Sequence, residues 1–210
     1  MGIGDRKSTL ESAISTAIQT QLKEVHTMLP GQIISFDPVT QRADIQPQLQ
    51  RKVGDKLINL AVLPSVPIRF PKSKAFSISF PLAAGDEVAL YFIERSIDNW
   101  LDQGGIQSPN DTRKFDLSDA YAVPVLYSQQ NKIENFDAVN MVIRNTANDT
   151  KITIKPSGEV IITATKTTIE GNLDVTGTIT APNIEVSGTE LKSHVHGGVT
   201  AGGSDTSPLA

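Results

Sequence analysis

The sequence predicts an all-β chain with one N-terminal helix, in which two β-structured parts of different kind follow one another. Three observations lead there. Short apolar runs with period-two alternation recur from residue 31 to residue 191. Gly, Pro, Asn and Asp punctuate them. The aromatic side chains (seven Phe, three Tyr, one Trp) all fall between Phe36 and Phe136, and none follows. Aromatics supply much of the buried area of an ordinary core, so a boundary is placed near Asp137. Four segments result: a helical stretch 1–30, a small β domain 31–137, a β-needle 138–191 and a glycine-rich tip 192–210.

A chain of 210 residues makes one large domain or two modest ones. The formal net charge of −4 and a pI near 5.4 argue against nucleic acid as the main partner. Cysteine is absent, which removes disulfides and thiolate metal sites. Rigidity must then come from burial, from oligomerisation, or from a metal held by nitrogen or oxygen. The opening MGIGDRKSTLES has no apolar signal core, and no run of about 18 apolar residues occurs. The expectation is a chain made in a cytoplasm, without a standard secretion signal or a membrane span.

Residues 8–29 read as a helix. Ser8-Thr9-Leu10-Glu11 has the form of a capping box. Leu10, Ile14, Ala17, Ile18, Val25 and Met28 recur near helical spacing, and Pro30-Gly31 closes the run. A trimer stem, a docking arm and a helix lying on the domain are all open roles for it.

Within 31–137 the predicted strands are Gln32–Phe36, Arg42–Gln46, Leu57–Leu63, Ala75–Phe80, Glu87–Ile93 and Ala122–Leu126. Asp37-Pro38-Val39-Thr40 and Ala84-Gly85-Asp86 are the turns. Short strands at this density suit a small barrel such as an OB-fold, with a compact sandwich as its rival.

Beyond Asp137, Lys151–Lys155 and Val160–Thr165 alternate with period two, and Leu173 with Val175 and Ile184 with Val186 repeat the theme. One such chain, without aromatics and with one apolar face per strand, cannot offset an ordering cost of roughly 1–2 kcal/mol per residue. Three copies wound about one axis turn every Ile and Val face inward and leave no free edge. A homotrimeric, triple-stranded β-helix is therefore the expectation; a solitary solenoid or a disordered Thr-rich tail is the alternative.

His194 and His196 are separated by Val195 and followed by Gly197-Gly198. In an extended strand the two imidazoles share a face. One chain offers too few ligands for a stable site, whereas three chains offer six nitrogens, an octahedral set. Zinc prefers a tetrahedron. A first-row ion such as iron or nickel suits six imidazoles better, and availability favours iron. Such a closed site is structural. The remaining histidine, His26, falls on the predicted helix and receives no role.

The chain resembles the membrane-puncturing central spike proteins of contractile-tailed bacteriophages and related phage-tail-like particles. The resemblance rests on Gly31-Gln32-Ile33 through Asp44-Ile45-Gln46-Pro47, on Gly85-Asp86-Glu87-Val88, and on Ser96-Ile97-Asp98-Asn99-Trp100 with Asp116-Leu117-Ser118-Asp119-Ala120. His194-Val195-His196-Gly197-Gly198 completes it. It implies an OB-fold base, a triple-stranded β-helix, and an apex holding one iron per trimer through His194 and His196 of three chains. It further implies a place in the virion at the tip of the tail baseplate, with tube and baseplate hub proteins as partners. Contact with the bacterial outer membrane is then transient, during piercing. Some related spikes carry a lysozyme domain; no stretch here is long enough for one, so no enzymatic activity and no small-molecule substrate are expected.

Three rival readings are weighed. Phe36, Phe70, Phe76 and Phe80 beside Arg69, Lys72 and Lys74 are candidates for stacking and phosphate contacts in an OB module that binds single-stranded nucleic acid or oligosaccharide. Core phenylalanines with a solvated lysine loop are the plainer account. Asp98, Asp102, Asp116 and Asp119 are the candidate catalytic carboxylates, but no nucleophile motif accompanies them, and Asp116 suits a turn or helix cap. A trimeric receptor-binding tail fibre would be expected to end in a larger, aromatic-bearing head.

Overall fold

The computed structural model describes residues 3–186 and 189–190. The chain is mostly β, with few helices, and divides into two compact units, Met1–Phe136 and Asp137–Ala210.

The first unit begins with helix α1, Ile3–Leu22, whose Leu10, Ile14, Ile18 and Leu22 are exposed. This corrects the sequence reading at both ends. Ser8 lies inside the helix and cannot cap it, while Met28 and Pro30 belong to strand β1, Met28–Asp37. Proline is tolerated there for a local reason. The Pro30 carbonyl accepts from the Gln48 N–H at 2.8 Å, so its nitrogen faces the β2 side. The β1–β2 ladder ends next door, at Gly31 with Pro47, and no donor is needed.

Strands β2 (Arg42–Pro47), β3 (Arg51–Val53), β4 (Lys56–Ile58), β5 (Leu63–Pro67), β6 (Glu87–Phe92) and β7 (Ala120–Val123) follow. Strands β3 and β4 form a separate hairpin, so the strand predicted over Leu57–Leu63 is really the end of that hairpin and the start of β5. The other five make an antiparallel sheet in the order β5-β2-β1-β6-β7. The sheet curls until its edges meet: Ile68 bridges Ala122 in parallel, and the Arg69 N–H donates to the Ala122 carbonyl at 2.8 Å. Ile33, Ile45, Ile68, Val88 and Leu90 fill the enclosed side and are fully buried.

Two sequence features explain the curl. Asp37 accepts from the Val39 N–H at 2.9 Å and from the Thr40 hydroxyl at 2.7 Å, closing the predicted β1–β2 turn. A bulge between Ile33 and Ser35 bends the same pair. Gly31 lets β1 approach its neighbours: a Cβ there would lie 2.6 Å from Ile45 Cγ2 and 2.8 Å from Leu90 Cδ1. Gly31→Ala is therefore expected to destabilise the unit by about 1–3 kcal/mol through overpacking. Urea denaturation measures it; an unchanged midpoint would contradict the close approach.

The segment Ala75–Phe80, predicted as a strand, joins no sheet and instead folds back on residues 71–73, with a Lys72–Ser77 bridge. Between β6 and β7 the chain makes a long excursion carrying helix α2 (Asp98–Gln103) and a 3-10 turn at Leu117–Asp119.

The second unit contains β8 (Met141–Arg144), β9 (Lys151–Ile154) and β10 (Val160–Thr163), an antiparallel sheet in the order β10-β9-β8. Pro156-Ser157-Gly158 makes the β9–β10 turn, with Gly158 at φ 88°. Residues 164–184 form no regular strand, so Leu173 and Val175 are not strand residues here. Strands β11 (Glu185–Val186) and β12 (Thr189–Glu190) pair with each other.

Asp137 opens this unit with a local cap. Its carboxylate accepts from Asn140 Nδ2 at 2.8 Å and from the N–H groups of Val139 and Asn140, each at 2.9 Å. Those bonds, the Asn140 side chain foremost, hold its pKa at about 2, below the ordinary 3.8. The pKa is depressed on folding, so the stabilisation is present above pH 3.8 and is lost as pH falls through about 2. The Val139 and Asn140 amide NMR shifts should therefore titrate with a midpoint near 2, a transition that Asp137→Ala removes. A midpoint at the ordinary carboxylate value would refute the cap.

Candidate functional site

The metal ligands expected from sequence, His194 and His196, lie outside the described residues. Among the described residues no group of three His, Cys, Asp or Glu side chains is placed to hold a metal ion. His26 is not on the helix but in the link to β1. Its ring lies 5.6 Å from that of Phe92, and its backbone N–H donates to the Phe115 carbonyl at 3.2 Å.

Two of the four candidate carboxylates, Asp98 and Asp119, join in a fastening around Arg113, while Asp102 lies on α2 outside it. Arg113 Nε donates to Asp119 Oδ2 at 2.5 Å, and its Nη2 donates to Asp119 Oδ1 at 3.0 Å and to Asp98 Oδ2 at 2.6 Å. Nη1 donates to Asp111 at 2.8 Å. Asp119 is wholly buried, and its Oδ1 also accepts from the Ile97 N–H at 3.1 Å. Hydrogen bonds to Asp119 first and Asp98 second raise the guanidinium pKa above its ordinary value, so Arg113 stays charged. Asp116 caps the 3-10 turn by accepting from the Ser118 N–H at 2.9 Å, as its sequence position suggested. Trp100 is exposed, and Asp98 is fixed by Arg113. Sequence reasoning missed Arg113, which has no motif of its own; its one signal was the set of acidic residues spaced around it.

The aromatic set divides. Phe36 and Phe70 are partly buried against the core, which withdraws them as stacking platforms. Phe76 and Phe80 remain exposed.

The second unit presents a bare apolar face. In the β8–β9 ladder Met141 stands opposite Ile154 and Ile143 opposite Ile152. In the β9–β10 ladder Val160 stands opposite Ile154 and Ile162 opposite Ile152. Residues directly opposite share a face, so these six side chains make one continuous apolar surface. They are 39–62% exposed. The other face carries Val142, Arg144, Lys151, Thr153, Ile161 and Thr163. Further along, Ile169, Leu173, Val175, Ile179, Ile184 and Val186 are also exposed. Sequence reading identified the alternation on β9 and β10 but passed over β8. The run Met141–Arg144 between Asn140 and Asn145 was the available signal.

Comparison with known proteins adds one finding. No curated protein matches the chain. Residues 29–125, which run from the second residue of β1 to just past β7 and so span the curled sheet with its excursions, match the family described as the phage protein Gp138 N-terminal domain, and this similarity supports a phage structural protein.

Proposed function

We propose that this chain is the central spike at the tip of a contractile phage tail, a homotrimer without enzymatic activity that pierces the bacterial outer membrane mechanically. The bare six-residue face of β8–β10 carries the proposal. Burying an Ile or Val side chain is worth about 1.5–3 kcal/mol, and within the second unit nothing described covers these. Three copies with that face turned to a common axis acquire the interior that each lacks. Residues 164–184, rich in exposed aliphatics but without strands of their own, wind with those of two neighbouring chains into a triple-stranded β-helix. The opposite face sets Arg144, Lys151 and Thr163 beside Val142, Thr153 and Ile161, and the chain has no aromatic residue after Phe136 to form a girdle, so the needle passes through a bilayer rather than lodging in it.

The base is read as an OB-fold. Support comes from the strand order β5-β2-β1-β6-β7 with its edges brought together, the arrangement of a five-stranded Greek-key barrel, and from the phage-domain similarity over the same residues. It sits on the tail tube and baseplate hub. At the other end His194 and His196 of three chains supply six imidazole nitrogens, a donor set that fits iron better than zinc or a hard cation. The ion clasps three strand ends, its coordination closed to substrate.

Native mass spectrometry with elemental analysis tests the reading. Three chains with one iron support it. A metal-free monomer overturns it.

A further inference from the structure

The segment after β5 doubles back into a narrow hairpin with one edge unused. The Ser73 N–H donates to the Phe76 carbonyl at 2.7 Å and the Ile78 N–H to the Pro71 carbonyl at 3.0 Å, with Lys72 bridged to Ser77. Those bonds take the inward-facing groups of residues 76 and 78. Successive residues of an extended strand aim their backbone groups to opposite sides, so the N–H and C=O of Ser77 and Ser79 face outward. Among the described residues neither has a backbone partner there.

The side chains sort in the same way. Phe76 and Ile78 are 81% and 69% exposed and share a face with Phe80. Phe80 is seated edge-on against Phe70, with ring centroids 5.2 Å apart, which anchors the strip to the core. The bridge puts Lys72 on the face of Ser77 and Ser79. Arg69, Lys72 and Lys74 have no carboxylate within ion-pair distance among the described residues, in a chain whose net charge is −4. An exposed apolar strand edge invites pairing, and proteins usually blunt one with a charge or a proline. Residues 76–80 contain neither.

We propose that residues 76–80 receive an extended acidic segment of a different protein by strand addition. Ser77 and Ser79 pair with its backbone, the Phe76, Ile78 and Phe80 face takes its apolar side chains, and the Lys72 side takes its carboxylates. A second copy of this chain would bring the same cations to the contact, and Ile78 between two phenylalanines suits a peptide strand better than stacked bases.

The full-length protein is tested with an acetylated, amidated octapeptide alternating Glu and Val, read by hydrogen–deuterium exchange over residues 76–80. The expected result is slowed exchange with this peptide and none with its Lys-Val counterpart. Lys72→Glu with Lys74→Glu, both exposed, should weaken the effect by about tenfold or more and favour the Lys-Val peptide. The proposal is overturned by no slowing with millimolar Glu-Val peptide, or by equal slowing with both peptides. Protection that rises with protein concentration alone would assign the edge to a second copy, and protection by single-stranded DNA instead would assign it to nucleic acid; either overturns it too.

Discussion

Ile152→Glu should convert the proposed trimer into monomers. Ile152 is the central contact of the bare face, opposite both Ile143 and Ile162. In a threefold assembly the change removes three buried side chains worth about 1.5–3 kcal/mol each. It also forces three carboxylates into one apolar interior, where each unpaired charge costs several kcal/mol more. In a solitary chain the same residue is 39% exposed, and a substitution there falls within about 0.5 kcal/mol. The two outcomes are far apart. Sedimentation and native mass spectrometry distinguish them, with Thr163→Glu on the opposite face as a variant expected to stay trimeric if the proposal holds. An Ile152→Glu protein that remains a trimer removes the basis of the proposed needle.

Arg113→Ala carries the second large effect. It leaves the fully buried Asp119 carboxylate with the Ile97 N–H as its only described partner. Breaking a buried pair from one side typically costs about 3–5 kcal/mol, a large share of the stability of a domain this size. Asp98 and Asp111 lose the same guanidinium, so the excursion between β6 and β7 comes loose as well. Expected results are a marked fall in melting temperature and new tryptic cleavage at Arg95 and Lys114. Arg113→Lys should recover only part, because an ammonium cannot reproduce the bidentate grip on Asp119. Wild-type stability in Arg113→Ala would show that Asp119 is satisfied some other way.

Local chemistry decided what could be read in advance. Strands β2, β6, β9 and β10 announce themselves through alternation bounded by turn residues, and the Asp37 and Gly158 turns form where their side chains or φ demand. Readings failed where a tertiary context overrode a local signal. Pro30 marked a helix end, yet it fits a strand position just past the end of the β1–β2 ladder, where a missing N–H interrupts no pairing within it. Val25 and Met28 kept helical spacing, but the ladder with Tyr91 and Leu90 claims the chain from Met28 onward. Ala75–Phe80 has a strand pattern and an extended backbone without a sheet to join. Of the candidate site, the apolar alternation was legible on two of its strands, and β8 was too short a run to register. Arg113 was invisible, because its meaning depends on residues that the fold, not the sequence order, brings to it.

The lone Ile68–Ala122 bridge has a consequence for how the curled sheet breathes. At that seam a single bridge and the Arg69 N–H join the two edges, whereas β1 is laddered on both flanks, to β2 and to β6. Opening fluctuations should begin along the β5–β7 gap and spread outward-in, so that the Arg69 amide takes up deuterium well before those of Ile33 and Leu90. The base would then behave as a clasped ring with one defined place to unfasten, and β1 as the hoop that yields last.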